Sequence, residues 1–284
     1  MDLITHINAL RAVLSNHRQA GRRIVLVPTM GNLHSGHIHL VNEAHRYGDV
    51  VVCTIFVNPM QFGKNEDLDA YPRTLEQDRQ KLAVAGCNVL FAPPVSEIYP
   101  LGLEQQTVVS VPRVSERHCG ASRPGHFDGV ATVVSKLFNL VQPDTALFGL
   151  KDYQQFMVIT RMVSDLCFPI NLVGVETQRE SSGLALSSRN GYLTADEKQR
   201  AATLYQTLLE SRSRLQAGAP INSVESMARG QLEQAGFRPD YYSICAASTL
   251  EPAQVHDSDL VILAAAWMGK TRLIDNLRVQ LSSH

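Results

Sequence analysis

Two imidazoles, a hydroxyl and a glycine crowd into His34-Ser35-Gly36-His37, directly after the tight segment Met30-Gly31-Asn32-Leu33. If a helix starts here, its unpaired N–H groups and positive dipole end favour an anion. Histidines three residues apart can add hydrogen bonds to phosphate oxygens, and a charged imidazole would offset negative charge on a departing pyrophosphate. Gly36 lets a ligand approach the backbone closely. The same pair could instead cap the helix or, at this spacing, hold a metal, although no third His or Cys ligand stands in the turn. Read alone, the segment leaves these alternatives open.

Three further constellations carry groups of the right kind. Gly149-Leu150-Lys151-Asp152-Tyr153-Gln154-Gln155 offers a mobile positive charge for phosphates at Lys151, and at Asp152 a carboxylate for Mg²⁺ or a ribose hydroxyl. Read alone, Lys-Asp is more commonly an exposed pair opening a helix. Leu186-Ser187-Ser188-Arg189-Asn190 puts two hydroxyls beside a forked guanidinium, a good triphosphate clamp, or else a Ser-rich linker before a helix capped at Thr194. Phe56-Val57-Asn58-Pro59-Met60-Gln61-Phe62-Gly63 is stiffened by Pro59, and Asn58 and Gln61 offer paired donors and acceptors to a small hydroxylated acid. A well-made turn would look the same. The many carboxylates between Glu66 and Asp78 read as a solvated face.

Elements that could position these groups follow from hydrophobic period. Thr5 caps an expected helix with Ile7, Leu10, Val13 and Leu14 on one face, ending near Gly21. A strand at Ile24 to Val27, closed by Pro28, leads through the histidine turn into a helix carrying Ile38, Leu40, Val41 and Ala44. Further buried strands are expected at Val50–Val57, Val89–Phe91, Ala146–Phe148 and Ile170–Val175, with helical patterns between them. That alternation specifies an α/β fold with a Rossmann-like, doubly wound parallel sheet, whose ligands sit at the carboxyl ends of the strands. The loops from Pro28, Asn58, Gly149 and Glu176 would then meet in one crevice. From about Thr177 the rhythm changes to helices over Asp196–Leu215 and Val224–Ala235, a turn at Gly218-Ala-Pro220, and apolar runs at Tyr241–Cys245, Leu260–Ala265 and Arg272–Ile274. We expect a Rossmann-like domain over 1–176 and a smaller α+β domain over 177–284, with no internal repeat.

Bulk composition narrows the function classes. The chain has 284 residues, 44% hydrophobic and 19% charged, as in a soluble globular protein. Its 26 Lys and Arg against 27 Asp and Glu argue against a nucleic-acid surface or a polybasic membrane patch. The strongest apolar run, Leu260–Trp267, is far short of the ~20 residues a membrane helix needs. The start of the chain lacks the pattern of a secretory signal, so a cytoplasmic protein is expected. Cys53, Cys87, Cys119, Cys167 and Cys245 stand singly, which suits reduced, mostly buried thiols better than a zinc or redox site.

In this order, Pro28 to His37, Phe56 to Gly63, Tyr71-Pro-Arg-Thr74, Phe148 to Gln155 and Leu186 to Asn190 closely resemble the pantothenate synthetase family, the pantoate and β-alanine ligases. The resemblance spans nearly the whole chain. It implies the nucleotidylyltransferase superfamily, related through the His-x-Gly-His turn to class I aminoacyl-tRNA synthetases, with residues 1–176 binding ATP and pantoate and 177–284 acting as a lid. It implies a cytoplasmic homodimer that condenses (R)-pantoate with β-alanine, using ATP and Mg²⁺ through a pantoyl adenylate. Carried over by motif, Met30, Gly31, Asn32, Leu33, His34, Ser35, Gly36 and His37 would embrace ATP, with His34 and His37 on its phosphates and His37 in a proton-donor role. Gly149, Leu150, Lys151 and Asp152, with Leu186, Ser187, Ser188 and Arg189, would complete the ATP site, Lys151 and Arg189 supplying charge. Gln61 and Gln155 would hold pantoate, Gln61 also meeting β-alanine. Asn58, Arg123 and His126 lie in matching segments. Ser35 and Leu150 depart from the residues common in the family, and neither side chain has an evident essential task.

Overall fold

In the computed structural model, which describes residues 1–63, 66 and 68–281, the apolar runs of the first half form parallel strands covered on both faces. They are β1 (Asp2–Ile4), β2 (Ile24–Thr29), β3 (Val50–Ile55), β4 (Val89–Phe91), β5 (Thr145–Gly149) and β6 (Asn171–Val175). The sheet order is β1-β4-β3-β2-β5-β6, and every neighbouring pair is parallel. The helices α1 (Ile7–Gln19), α2 (Ser35–Ala44), α3 (Leu75–Val84), α6 (His126–Val141) and α7 (Tyr153–Asp165) connect them, with the short turns α4 (Val95–Ile98) and α5 (Cys119–Ser122) between. The second half holds α8 (Ala195–Ala201), α9 (Thr203–Gln216) and α10 (Ile221–Gln234) with an antiparallel sheet, β7 (Arg238–Ala246), β8 (Asp259–Met268) and β9 (Thr271–Gln280). The expected α/β class with an α+β second part is therefore what the chain forms.

Two compact units result, Met1–Leu150 with Val158–Glu176, and Lys151–Met157 with Thr177–His284. In the first, strand order reverses between β2 and β5, the topological switch point where open α/β sheets hold ligands. Pairing of β2 with β5 covers only Val25–Thr145 and Leu26–Ala146. The carboxyl ends of both strands are thus unpaired with each other at the place where the histidine turn and Gly149 emerge. In the second unit, Leu204, Leu208, Val224, Leu232, Ile262 and Leu273 share one core with Tyr242, whose hydroxyl donates to Ser211 Oγ at 2.7 Å.

Four local expectations need correction. Helix α1 is capped by neither Thr5 nor the side chain of His6 at its N-cap; Glu97 reaches across from α4 to accept from the Ile7 N–H at 2.7 Å, and that bond, with His6, holds its carboxyl below the ordinary value. Pro28 does not close β2. It lies inside the strand, past the last residue paired with β5, where its missing N–H interrupts no ladder on that side. The expected helix over Asp196–Leu215 is two, broken in hydrogen bonding at Ala202 although that residue keeps helical backbone angles. Edge strand β1 was not expected, since three residues paired only with β4 carry too little pattern.

Candidate active site

A strand, a turn in left-handed backbone and a helix build the histidine segment. Gly31 (φ 82°) and Asn32 (φ 49°) are both left-handed, a conformation that costs an ordinary L-residue ~1–2 kcal/mol and that Gly and Asn tolerate best. A buried carboxylate holds the turn: Asp78 of α3, fully excluded from solvent, accepts from the N–H groups of Asn32 and Leu33, both at 2.8 Å, and from Thr74 Oγ1 at 3.0 Å. A Cβ on Gly31 would lie 3.2 Å from Asp78 Oδ2 and 3.0 Å from Ile55, a tight fit that adds to the preference for glycine set by the angle. Lys81, one turn further along α3, donates to the Leu33 carbonyl at 2.6 Å. Asp78 is therefore no part of a solvated acidic face. Helix α3 turns it inward beside Leu82.

At the start of α2 the imidazoles form a reciprocal cap. His34 Nδ1 accepts from the Gly36 N–H at 3.1 Å and His37 Nδ1 accepts from the His34 N–H at 3.3 Å, with ring centroids 4.0 Å apart. An accepting Nδ1 carries no proton, so both rings are the neutral tautomer with the proton on Nε2. The capping reading therefore holds in the geometry: Nδ1 of each ring closes the helix end.

Asn58 and Gln61 occupy the loop after β3, and helix α6 approaches it closely because a Cβ on Gly129 would fall 2.5 Å from the Met60 carbonyl. Asn58 is 1% exposed and spends its amide inside the protein. Its Nδ2 donates to the Gly129 carbonyl (3.0 Å) and to Gln61 Oε1 (3.2 Å), while its Oδ1 accepts from the Met60 N–H (3.3 Å) and Tyr99 OH (2.7 Å). Burial pushes the Tyr99 phenol upward, keeping it a donor. Gln61 is left with its Nε2 directed at Met30 Sδ, 3.1 Å away. Arg123 and His126 support the same loop. His126 donates from Nδ1 to the Gln61 carbonyl (2.9 Å) and accepts at Nε2 from Arg123 (3.0 Å), which also forks onto Glu66 at 2.6 and 2.5 Å. Burial raises Glu66, but the hydrogen bonds and charge of Arg123 outweigh it and hold the carboxyl below its ordinary value.

The second unit carries the remaining motifs. Lys151 Nζ stands 3.6 Å from its neighbour Asp152, and the Lys151 carbonyl accepts from Asn276 Nδ2 at 2.8 Å. Gln155 is half-buried on the first turn of α7, beside Tyr153, whose hydroxyl donates to the Ala247 carbonyl at 3.1 Å. Residues 178–186 fold back on themselves through the Glu180–Leu184 and Leu186–Gln178 backbone bonds and deliver Ser187, Ser188 and Arg189 as half-buried residues, Ser187 Oγ capping the Arg189 N–H at 3.2 Å. Among the described residues no group of three His, Cys, Asp or Glu could cage a metal, and no helix is long and apolar enough to cross a membrane. All five cysteines are free thiols, buried except Cys167.

The family model for pantoate–β-alanine ligase matches residues 2–278. The chain belongs to that family. It is 58% identical over 271 residues to the pantothenate synthetase of Shewanella sediminis, covering 95% of this chain and 96% of that one. To the Pseudomonas putida W619 enzyme it is 56% identical over 282 residues, covering 99% and 98%. Among solved structures, pantothenate synthetase from Thermus thermophilus matches with TM-score 0.92 and 45% identity, over 98% of this chain and 99% of that one. A Francisella tularensis pantoate–β-alanine ligase, complexed with β-γ ATP and β-alanine, matches with TM-score 0.81 and 34% identity, over 98% and 97%. The chain is accordingly an enzyme, a ligase of pantothenate biosynthesis.

Beyond the motifs of this ligase family, the geometry brings in Asp78, Lys81 and Tyr99 in the first unit and Arg179, Asp275 and Asn276 in the second. Some signal for them was present. Asp78 sits four residues before Leu82 on an inward helix face, and Asp275 shares strand parity with Leu273 and Val279. An acid on an apolar face is either an error or a held group.

Proposed function

We propose that this ligase condenses (R)-pantoate with β-alanine in two steps through a pantoyl adenylate. The observation that carries the reading is the Asp78-held turn and reciprocally capped histidine pair at the sheet's switch point, a phosphate-binding arrangement in a family whose Francisella member was solved with β-γ ATP and β-alanine. In the first step a pantoate carboxylate oxygen attacks the α-phosphorus of ATP, the bond from that phosphorus to the bridging oxygen breaks, and pyrophosphate leaves. In the second, the β-alanine amine attacks the acyl carbon, the C–N bond forms, AMP takes the C–O electron pair, and the amine gives up a proton.

Residues 1–176 bind ATP and pantoate in this reading, and 177–284 serve as the lid domain. His34 and His37 donate hydrogen bonds from Nε2 to phosphate oxygens, the donor role of His37 being that of a neutral ring's N–H, while residues 30–37 and 149–152 line ATP. Lys151 and Arg189 supply positive charge to the triphosphate and Ser187 and Ser188 donate hydroxyl hydrogen bonds to it, with Leu186 beside them. Gln61 and Gln155 bind pantoate. Gln61 presents its amide NH₂ because Asn58 occupies its oxygen, so we assign Asn58 to orienting Gln61 rather than touching substrate. Mg²⁺ suits the donor chemistry here, since it is commonly held by one or two carboxylates plus substrate phosphates and Asp152 supplies one half-exposed carboxylate beside Lys151; bound, it would offset phosphate charge. A cytoplasmic homodimer completes the reading, on the family resemblance, and sedimentation mass checks the dimer.

The test is AMP release from ATP, Mg²⁺ and pantoate with and without β-alanine. AMP formed stoichiometrically with pantothenate, and only when all three substrates are present in excess, supports the reading. Stable adenylated pantoate as the end product in the presence of β-alanine overturns it.

A further inference from the structure

Two adjacent residues of β9, Asp275 and Asn276, hold backbone that the reaction chemistry depends on, yet they carry no motif of their own. Asn276 Nδ2 donates to the carbonyl of Lys151 at 2.8 Å. Asp275 forks onto Arg179, Oδ2 to Nη1 at 2.6 Å and Oδ1 to Nη2 at 2.9 Å, and its Oδ1 also accepts from the Asn276 N–H at 2.8 Å. Arg179 donates to the Gly183 carbonyl at 3.2 Å and lies flat over Tyr205, 3.6 Å from the ring centroid. Gly183 is left-handed (φ +92°), and a Cβ there would come within 2.8 Å of that same ring. The folded-back 178–186 segment, bridged at Arg179–Ala185, is therefore pinned to β9 at its start, and it runs straight into Ser187–Arg189.

Asp275 is buried while the Arg179 side chain keeps 15% exposure, and burial pushes the Asp275 carboxyl upward against the pull of Arg179. Removing two charges from water is costly enough that apolar replacements of buried pairs are often neutral or stabilising, so stability is a weak explanation for keeping one here. What the pair and the neighbouring amide share is their target: one fixes the segment leading to Ser187–Arg189, the other fixes Lys151. Both targets lie in the second unit and are tied to consecutive residues of a single strand.

We infer that Asp275 and Asn276 are positioning residues that set the spacing between the Lys151 ammonium and the Ser187–Arg189 clamp, and so the charge geometry that receives the departing pyrophosphate. This rests on the assignment of those two segments to the triphosphate. Misplacing such groups by ~1 Å costs on the order of 10²-fold in rate, and it should do so only where pyrophosphate leaves.

The experiment separates the half-reactions. Adenylation is followed by pantoate-dependent exchange of pyrophosphate into ATP, and amide formation by supplying synthetic pantoyl adenylate with β-alanine. Asn276→Ala, which deletes the neutral hydrogen bond to the Lys151 carbonyl, is the primary variant because Asp275→Asn leaves the Arg179 guanidinium without its full partner. Lys151→Ala is the reference. A fall of ten- to a hundredfold in exchange for Asn276→Ala, with amide formation within twofold of the parent and unchanged melting, supports the inference. Equal losses in both half-reactions, or none in exchange while Lys151→Ala loses it, overturns the inference and leaves the triphosphate assignment standing. Full exchange in Lys151→Ala itself overturns that assignment and the inference with it.

Discussion

Replacing Asp78 by Asn keeps its shape and removes one acceptor, which makes the consequence calculable. The carboxylate serves three donors: Leu33 N–H on Oδ1, and Asn32 N–H and Thr74 Oγ1 on Oδ2. Thr74 can rotate its hydroxyl to accept from an amide NH₂, but a backbone N–H cannot. Whichever way the new amide sits, one of the two turn N–H groups faces a donor in a site with no access to water, a penalty of about 1–3 kcal/mol. The surviving backbone bond also loses its charge assistance, ~1 kcal/mol more. The sum, roughly 2–4 kcal/mol, lowers the melting temperature by about 5–10 °C. It also releases the left-handed Gly31–Asn32 geometry that aims the start of α2, so KM for ATP rises about tenfold while KM for β-alanine holds. Thermal melts and initial rates at saturating pantoate measure both effects. An Asp78→Asn enzyme that melts as the parent does and keeps its ATP KM within twofold refutes the claim that this carboxylate holds the nucleotide turn.

Three further outcomes follow from the site. His37→Ala and Lys151→Ala should each cost ~10²- to 10³-fold in kcat with the fold intact by circular dichroism. For His37, Gln places an amide near the Nε2 position and Asn near Nδ1, so turnover should recover more in His37→Gln than in His37→Asn, and the reverse order would make the cap its only task. Gln61→Ala should raise KM for pantoate well before it lowers kcat, checked by pantoate titration; an unchanged pantoate KM removes Gln61 from the acid's site. The Glu66–Arg123 pair gives a pH signature: Glu66 is held below its ordinary 4.5 in the folded chain, so it adds stability above that pH and loses it as pH falls through the lowered value. Arg123→Ala should therefore flatten the stability curve across that acid window and cost stability at neutral pH, whereas identical acid limbs for parent and variant would show the pair to be inert.

Legibility in the sequence tracked how local the cause was. Val89–Phe91 was readable to the residue and β2, β3, β5 and β6 nearly so, because a short, near-continuous apolar run between turns needs no distant partner to be recognised as a buried strand. The histidine segment was readable for the same reason, since its strand, glycine turn and helix are contiguous. What escaped was set by pairs far apart in the chain. Glu97 caps α1 across 90 residues, and Asp78 reaches back 45 residues to Leu33. Asp275 meets Arg179 across 96 residues. Pro28 misled because its effect on a strand depends on which neighbour needs the N–H, and only the sheet order settles that.

From the sequence, three roles for the His34–His37 pair stand against one another: phosphate ligand, helix cap and metal ligand. The geometry removes that opposition in part. An imidazole has two nitrogens, and using Nδ1 as an acceptor from backbone N–H commits the proton to Nε2. The cap therefore decides the tautomer, and the tautomer makes each ring a neutral donor. A charged imidazole at either position would need a proton on Nδ1 and would have to give up its capping bond. In the proposed reaction, stabilisation of the pyrophosphate would then come from Nε2–H dipoles, the helix end, Lys151 and Arg189, with no need for a charged histidine. On that proposal adenylation is expected to hold its rate on the alkaline side, a flat limb where an imidazolium mechanism would fall away above the histidine range.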